Sequence, residues 1–181
     1  MKLNIGVGNI PLEGYKNIDK YYYPGCGRVD LDQSKVDQYD WSYGDAVTLQ
    51  DPSDTFDEVI MVHVLEHMSM DDGNLAIKQA ARVLKPRGVL EIEVPDLAKA
   101  CWLFNSTPME DPLWLRVMGL IYGTTGADGE GQFHLTGYTR ERLRQKMGEH
   151  DIIDIEEIPV GFGHGRPEPE FDFRLRGVKN G

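Results

Sequence analysis

An apolar strand pattern that runs directly into a glycine turn opens the chain. Leu3 and Ile5 alternate with polar neighbours, and Gly6-Val7-Gly8-Asn9 follows without a break. A second apolar stretch comes next and ends at Asp19. Glycine lets backbone N–H groups approach a ligand closely, and an acid at the end of a strand accepts hydrogen bonds from ribose hydroxyls. The opening therefore predicts a nucleoside site, although turns that bind nothing also contain such glycines.

Size and charge limit the classes of protein to which the chain can belong. Its 181 residues can bury a core, and we expect one domain over 1–181. A formal net charge of −11, with no dense Lys/Arg run, argues against nucleic acid or an acidic membrane as partner. No apolar run approaches the ~20 residues of a membrane helix, and no signal peptide is recognised.

The two cysteines, Cys26 and Cys101, lie far apart and lack the spacing of a metal site. Neither a structural zinc site nor a disulfide framework is expected from them. Free thiols are typical of a reducing compartment, so the expected location is cytoplasmic.

Strand and helix patterns alternate, which predicts an α/β fold with a mostly parallel sheet. Strands are predicted over 3–7, 15–18, 36–43, 56–62, 89–94, 152–158 and 171–178. A helix capped by Asp71 or Asp72 is predicted to run to Leu84 and to be ended by residues 85–88; further helices are predicted over 95–104, 112–122 and 139–149. Residues 105–136 interrupt this alternation and are predicted to form an insertion or lid.

Several short segments then combine into one pattern: Asn4–Tyr15, Phe56–Val59 with His63–His67, Arg82–Gly88, Val94–Leu97 and Phe133–Thr139. In this order they resemble class I S-adenosylmethionine-dependent methyltransferases of the type-11-like kind. The resemblance implies a Rossmann-like three-layer sandwich with a mostly parallel seven-stranded sheet and an antiparallel last strand.

The resemblance also implies the cofactor S-adenosylmethionine, with S-adenosylhomocysteine as product, in the crevice at the carboxyl ends of the strands. Asp19 would hold the ribose hydroxyls, Asp45 would accept from the adenine amino group, and His63 would lie near the sulfonium. The full set of implied cofactor residues is Gly6, Gly8, Asn9, Asp19, Asp45, Ala46 and His63.

Methyl transfer from a sulfonium is an in-line displacement, so the enzyme positions the acceptor and, where needed, removes a proton. His63 and His134 are the candidate catalytic residues, because imidazole titrates near neutral pH. His63 is open to three interpretations: a cofactor or substrate contact, a base, or a structural hydrogen-bond partner. His134 is assigned to a lid, while Glu66 and His67 are interpreted as capping or orienting the next helix.

Other functions are compatible with parts of the sequence. Residues 63–67 match the H-x-x-E-H motif of zinc peptidases. That motif needs both histidines on one helix, whereas His63 is predicted to end a strand, so no metal ligands are expected. A nicotinamide-dependent oxidoreductase fits poorly because Pro11 interrupts the full glycine motif. A non-catalytic S-adenosylmethionine-binding or regulatory protein of the same fold stays open.

The expected acceptor is a small molecule or a sugar-type metabolite, and the sequence does not select O-, N- or C-methylation. The aromatic residues that would line its pocket are Trp102, Phe104, Trp114, Tyr122 and Phe133. A homodimer is expected as one way to cover an otherwise exposed cofactor.

Overall fold

The computed structural model describes residues 1–8, 10–26, 33–36, 38–123, 133–161 and 171–181. Within these ranges the strands are β1 (Lys2–Ile5), β2 (Tyr15–Asp19), β3 (Trp41–Tyr43), β4 (Phe56–Val62), β5 (Leu84–Pro95), β6 (Ile152–Ile158) and β7 (Asp172–Lys179). The helices are α1 (Gln33–Val36), α2 (Met70–Val83), α3 (Leu97–Ser106), α4 (Pro112–Tyr122) and α5 (Arg140–Gly148). Short 3₁₀ turns cover Ala46–Thr48 and Leu65–His67.

One sheet contains all of these strands, in the order β3-β2-β1-β4-β5-β7-β6. Strands β1 to β5 run parallel, and β7 lies antiparallel between β5 and β6. The predicted α/β class, with its mostly parallel sheet and antiparallel last strand, is therefore confirmed. The chain leaves β1 toward β2 on one side and reaches β4 on the other, which places a switch point beside β1, where open α/β sheets bind ligands.

Helix α2 covers the centre of the sheet with a stripe of small and branched side chains, including Ala76, Ile77 and Ala80. This spacing of three and four residues places them on one face of the helix. Ser69 caps the helix, since its hydroxyl accepts the N–H of Asp72 at 3.1 Å. The prediction that Asp71 or Asp72 is the cap was wrong, because the extended backbone that a cap requires occurs at Ser69.

Further boundaries also differ from prediction: β1 ends at Ile5 rather than residue 7, and α3 begins at Leu97 because Pro95 still belongs to β5. Residues 36–43 do not form one strand, because helix α1 ends at Val36 and only Trp41–Tyr43 pair with β2. The buried Trp41 sets this position, since its indole N–H donates to the carbonyl of Tyr22 at 2.8 Å. Residues 85–88 belong to β5 rather than to the end of α2, because the buried Leu84 is already extended and pairs with Phe56.

Asn17 explains how β1 and β2 run parallel without a helix between them. Its amide oxygen accepts from the N–H of Leu12 at 2.8 Å and from the amide of Asn4 at 3.0 Å. Its amide nitrogen donates to the carbonyls of Leu12 at 3.0 Å and Tyr15 at 2.9 Å. The side chain is fully buried, so it satisfies backbone groups of the connection that a helix would otherwise pair.

Helices α3 and α4 pack together around Leu103 and Val117, and Phe171, just before β7, belongs to the same apolar cluster. Asp96 caps α3 by accepting the N–H of Lys99 at 3.1 Å, and it also pairs with Arg140. In the described parts of the chain, no helix combines the length and the apolar character needed to cross a membrane.

Gly177→Ala is expected to destabilise the β6–β7 pair. The added β-carbon would lie 2.4 Å from Cγ2 of Ile152 and 3.2 Å from the carbonyl oxygen of Ile153. Because Ile152 is buried, the overpacking should reduce the free energy of unfolding by about 1–3 kcal/mol. Gly148→Ala is the matched control, since its β-carbon meets no described atom within 4 Å and alanine favours helices. Urea unfolding followed by circular dichroism measures both variants, and wild-type stability of Gly177→Ala would contradict the observed packing.

Candidate functional site

A cleft of about 400 Å³ opens at the carboxyl ends of β1, β2, β3 and β4. Four chain segments that follow these strands form most of its wall: residues 5–8, 19–22, 44–47 and 63–69. Leu135, from the segment between α4 and α5, also lines the cleft. The cleft therefore lies at the switch point of the sheet, where the parallel topology leaves the strand ends uncovered.

Of the seven predicted cofactor residues, six line this cleft: Gly6, Gly8, Asp19, Asp45, Ala46 and His63. Asn9 lies outside the described residues. The candidate catalytic residue His134 does not line the described cleft, although its neighbour Leu135 does. The fold thus brings together residues from separate strand ends, while the role of each remains a prediction.

Different structural constraints favour glycine at the two positions after β1, Gly6 and Gly8. Both have positive φ angles, 73° at Gly6 and 54° at Gly8, which favour glycine. A β-carbon on Gly6 would lie 2.2 Å from Cγ2 of Val64, so packing against the segment after β4 excludes a side chain there. A β-carbon on Gly8 would meet no described atom within 4 Å and would occupy space at the cleft instead.

Asp19 stabilises the turns on both sides of the cleft floor. Its Oδ2 accepts the N–H of Gly8 at 2.9 Å, and its Oδ1 accepts the N–H groups of Tyr21 at 2.7 Å and Tyr22 at 2.8 Å. The sequence predicted an acid at the end of β2 but not these backbone bonds. An aspartate followed by a turn is a signal for such bonds to N–H groups two residues on, and it could have predicted the pair at Tyr21 and Tyr22.

Asp45 caps the 3₁₀ turn at Ala46–Thr48, with Oδ1 accepting the N–H of Val47 at 3.1 Å. Its Oδ2 lies 2.9 Å from Nζ of Lys20, and this hydrogen bond raises the pKa of Lys20. Lys20 also lines the cleft, and sequence reasoning did not single it out. The acid predicted to face adenine is therefore already held by a lysine from the end of β2.

His63 directly follows β4 in the left-handed backbone region, with a φ of 54°. Its Nδ1 lies 3.0 Å from Oε1 of Glu66, and its Nε2 lies 3.4 Å from Asp172 and 3.7 Å from Glu93. A neutral imidazole donates from only one nitrogen, so carboxylates at both nitrogens favour the doubly protonated ring. That form lacks a lone pair for accepting a proton, and the geometry therefore supports a structural and electrostatic role for His63 more than a role as base.

The pKa values of two buried carboxyl groups around His63 shift in opposite directions. Burial of Glu66 would raise its pKa, but the hydrogen bond with His63 and the charges of His63, His67 and His134 outweigh burial and hold the pKa at about 2. Burial raises the pKa of Glu93 above its ordinary value, although the charge of His63 acts in the opposite direction. Desolvation and ion pairing thus compete within one cluster.

Glu66 and His67 do not cap α2, because they lie in the preceding 3₁₀ turn and Ser69 is the cap. Instead, His67 Nδ1 contacts the carbonyl of Phe133 at 3.1 Å. His134 Nδ1 contacts the carbonyl of Leu120 at 2.9 Å, and the two imidazole rings lie 4.9 Å apart. Residues 63–67 do not form the single helix that a zinc peptidase motif requires, because only Leu65–His67 form a 3₁₀ turn after β4 ends at Val62.

The five aromatic residues predicted to line an acceptor pocket do not line the cleft in the described part of the chain. Trp102 is 66% exposed, and Tyr122 and Phe133 are 59% and 52% exposed. Phe104 and Trp114 pack against each other with ring centroids 6.0 Å apart. Within the predicted lid over 105–136, Leu135 lines the cleft, and residues 124–132 lie outside the described ranges.

Comparison with known proteins adds a family match. Residues 26–92 match the family model described as a methyltransferase domain. This segment includes β3, β4, α2 and most of β5, and therefore two of the four segments that form most of the wall of the cleft. A comparison with curated proteins found no match.

Solved structures share the fold along nearly the whole chain. A protein from Pyrococcus horikoshii aligns with a TM-score of 0.65 at 16% identity, covering 99% of this chain and 81% of that chain. A SAM-dependent methyltransferase from Methanosarcina mazei gives 0.62 at 16% identity, with coverages of 99% and 92%. A SAM-dependent methyltransferase, possible histamine N-methyltransferase, from Thermotoga maritima gives 0.60 at 16% identity, with coverages of 99% and 82%.

Asp19→Asn is expected to destabilise the protein even without ligand. An amide has one accepting oxygen, so at least one of the backbone N–H groups now bonded to Asp19 loses its acceptor, at a cost of about 1–3 kcal/mol. Asp45→Asn is the matched control at the same cleft: asparagine still caps a helical turn, and the pair with the half-exposed Lys20 is worth less than about 1 kcal/mol. Urea unfolding measures the free energy of unfolding of both variants, and equal values would contradict the stabilising role of Asp19.

Proposed function

We propose that this chain is a class I S-adenosylmethionine-dependent methyltransferase and that it transfers a methyl group to a small-molecule or sugar-type acceptor at the cleft. The match of residues 26–92 to a methyltransferase family model and the fold shared with solved methyltransferases support this class. S-adenosylmethionine is the cofactor of this class and supplies an activated methyl group when bound. The contributions of this chain are therefore to bind and orient the cofactor, to place the acceptor and to exclude water.

The observation that carries the proposal is the convergence of the predicted cofactor residues. Gly6 and Gly8 follow β1, Asp19 ends β2, Asp45 and Ala46 follow β3, and His63 follows β4, yet all line one cleft. In sequence they span 58 positions between residues 6 and 63, counted inclusively, and only the parallel order of the strands brings them together. A chance set of residues would not fall at successive strand ends around one switch point.

The donors and acceptors at the cleft fit a nucleoside. A carboxylate offers about four acceptor positions, and Asp19 uses three of them for backbone N–H groups of described residues. We therefore assign one ribose hydroxyl, rather than two, to Asp19. Gly8 lets that part of the ligand approach the backbone, and we assign the adenine to the turn at Asp45 and Ala46.

The net charge of −11 supports a small acceptor rather than a nucleic acid. An acidic surface repels phosphate backbones, whereas a small neutral or basic molecule can reach the cleft. No feature of the described cleft distinguishes among oxygen, nitrogen and carbon as the methylated atom. A homodimer remains part of the proposal as a cover for the open side.

Calorimetric titration of the purified chain with S-adenosylmethionine and S-adenosylhomocysteine tests the proposal, with NAD as the negative control. We expect saturable binding of both sulfur nucleosides and none of NAD. Absence of binding by the folded chain would overturn the assignment of the cleft as the cofactor site.

Gly8→Ala is expected to weaken S-adenosylhomocysteine binding by more than about tenfold, because the new methyl group enters the cleft where backbone and ligand approach each other. Gly14→Ala is the matched control: its φ is 78°, its β-carbon also meets no atom within 4 Å in the described structure, and it does not line the cleft. Both variants should lose about 1–2 kcal/mol of stability from the left-handed backbone. Equal affinity in the two variants would contradict the proposed position of the cofactor.

A further inference from the structure

We propose that Glu66, His67 and His134 bind a divalent transition-metal ion at the wall of the cleft. A carboxylate oxygen of Glu66 and one ring nitrogen from each histidine lie within 4.8 Å of one another. His67 lines the cleft, and its side chain is 20% exposed, so an ion can reach the group from solvent.

The hydrogen bonds of the two histidines orient them as ligands. His67 Nδ1 lies 3.1 Å from the carbonyl of Phe133, and His134 Nδ1 lies 2.9 Å from the carbonyl of Leu120. A carbonyl oxygen only accepts, so Nδ1 carries the proton in each ring and Nε2 carries the lone pair of the neutral form. Histidines that bind metals almost always donate their other ring N–H in this way, which fixes both tautomer and ring orientation.

One buried oxygen atom of Glu66, Oε2, lacks a hydrogen-bond partner among the described residues. The residue is only 1% exposed. Its other oxygen, Oε1, contacts Nδ1 of His63 at 3.0 Å and lies 4.0 Å from Nε2 of His67. Leaving a buried carboxylate oxygen unpaired costs free energy, and a cation beside the two imidazoles would satisfy it.

The backbone brings His134 to this position and holds it there. The N–H groups of Leu135 and Thr136 both donate to the carbonyl of Glu66, at 2.7 and 3.2 Å. On the other side, the N–H of His134 donates to the carbonyl of Tyr122 at 3.1 Å, at the end of α4. The three ligands are therefore placed by backbone bonds between distant segments, which is the kind of support that a metal site requires.

The donor set indicates the class of ion. Two imidazoles and one carboxylate suit first-row ions such as Mn²⁺, Co²⁺ or Zn²⁺ better than Mg²⁺, which prefers oxygen ligands throughout. Bonds of about 2.0–2.2 Å require the ligand atoms to move together by about 1 Å from the present spacing. Three protein ligands leave at least one coordination position open, which is available to water or, if the proposed methyl transfer holds, to a group of the acceptor.

Cobalt binding tests the site directly, without S-adenosylmethionine or an acceptor. The full chain, purified without a histidine tag and treated with a chelator, is titrated with Co²⁺ while visible d–d absorption is recorded, and Zn²⁺ is then added to compete. We expect saturable binding of one ion per chain and its displacement by Zn²⁺. Binding no stronger than that of a denatured chain would overturn the proposal.

Two variants locate the ion. His67→Gln and His134→Gln should each weaken Co²⁺ binding by more than about tenfold, since each removes a ligand. His150→Gln is the matched control: it also removes a partly buried histidine whose ring contacts a neighbouring side chain, Asn74, but it lies at the end of α5. Loss of binding in His150→Gln equal to that in the ligand variants would indicate non-specific binding and overturn the assignment. Thermal unfolding without metal confirms that each variant is folded.

Asp172→Asn separates this site from a neighbouring group. His63, Glu93 and Asp172 also bring ligand atoms within 4.8 Å of one another, and Asp172 belongs to that group alone. Retained Co²⁺ binding in Asp172→Asn supports the site at Glu66, His67 and His134, whereas its loss would place the ion in the other group. Because S-adenosylhomocysteine binding is measured separately, failure of the metal site and failure of the proposed cofactor site are distinguishable.

Discussion

The carboxylate of Asp19 is the interaction on which the geometry of the cleft depends. It lies at the end of β2 and accepts backbone N–H groups from the turn after β1 and from the turn after β2. Because both turns lack helical or strand partners for these groups, one side chain satisfies them together. A charged acceptor forms stronger bonds than a neutral one, so the two strand ends are held at the spacing that leaves the cleft between them open.

A second centre of charge lies around His63, on the other side of the cleft. Three buried carboxylates approach its ring: Glu66 from the 3₁₀ turn, Glu93 from β5 and Asp172 from β7. Burying like charges together is costly unless a cation lies among them. His63 supplies part of that compensation, and a metal ion at Glu66, His67 and His134 would supply more. The antiparallel β7, inserted between β5 and β6, is what brings Asp172 into this cluster.

Elements with strong local signals were predictable. Strand β4 and helix α4 begin and end where the residue patterns predicted, and α5, predicted over 139–149, covers Arg140–Gly148 with Thr139 as its cap. The errors fall where distant contacts decide the backbone. Trp41 shortens a predicted strand because its indole reaches Tyr22, and Leu84 ends α2 early because it pairs with Phe56. Such contacts leave no periodic trace in the surrounding residues, so a local pattern cannot reveal them.

The amino-acid sequence alone determined the α/β class, the order of most elements and six of the residues that line the cleft, because turn glycines, strand-terminal acids and apolar periodicity are local properties. The tertiary structure decided what those residues contact. It assigned the bonds of Asp19 to backbone N–H groups and enclosed both nitrogens of His63 between carboxylates. It also placed His134 beside His67, 67 positions away along the chain, through backbone bonds to Glu66 and Tyr122. Partners that distant in sequence are chosen by the packing of the sheet and its crossovers, which no single segment encodes.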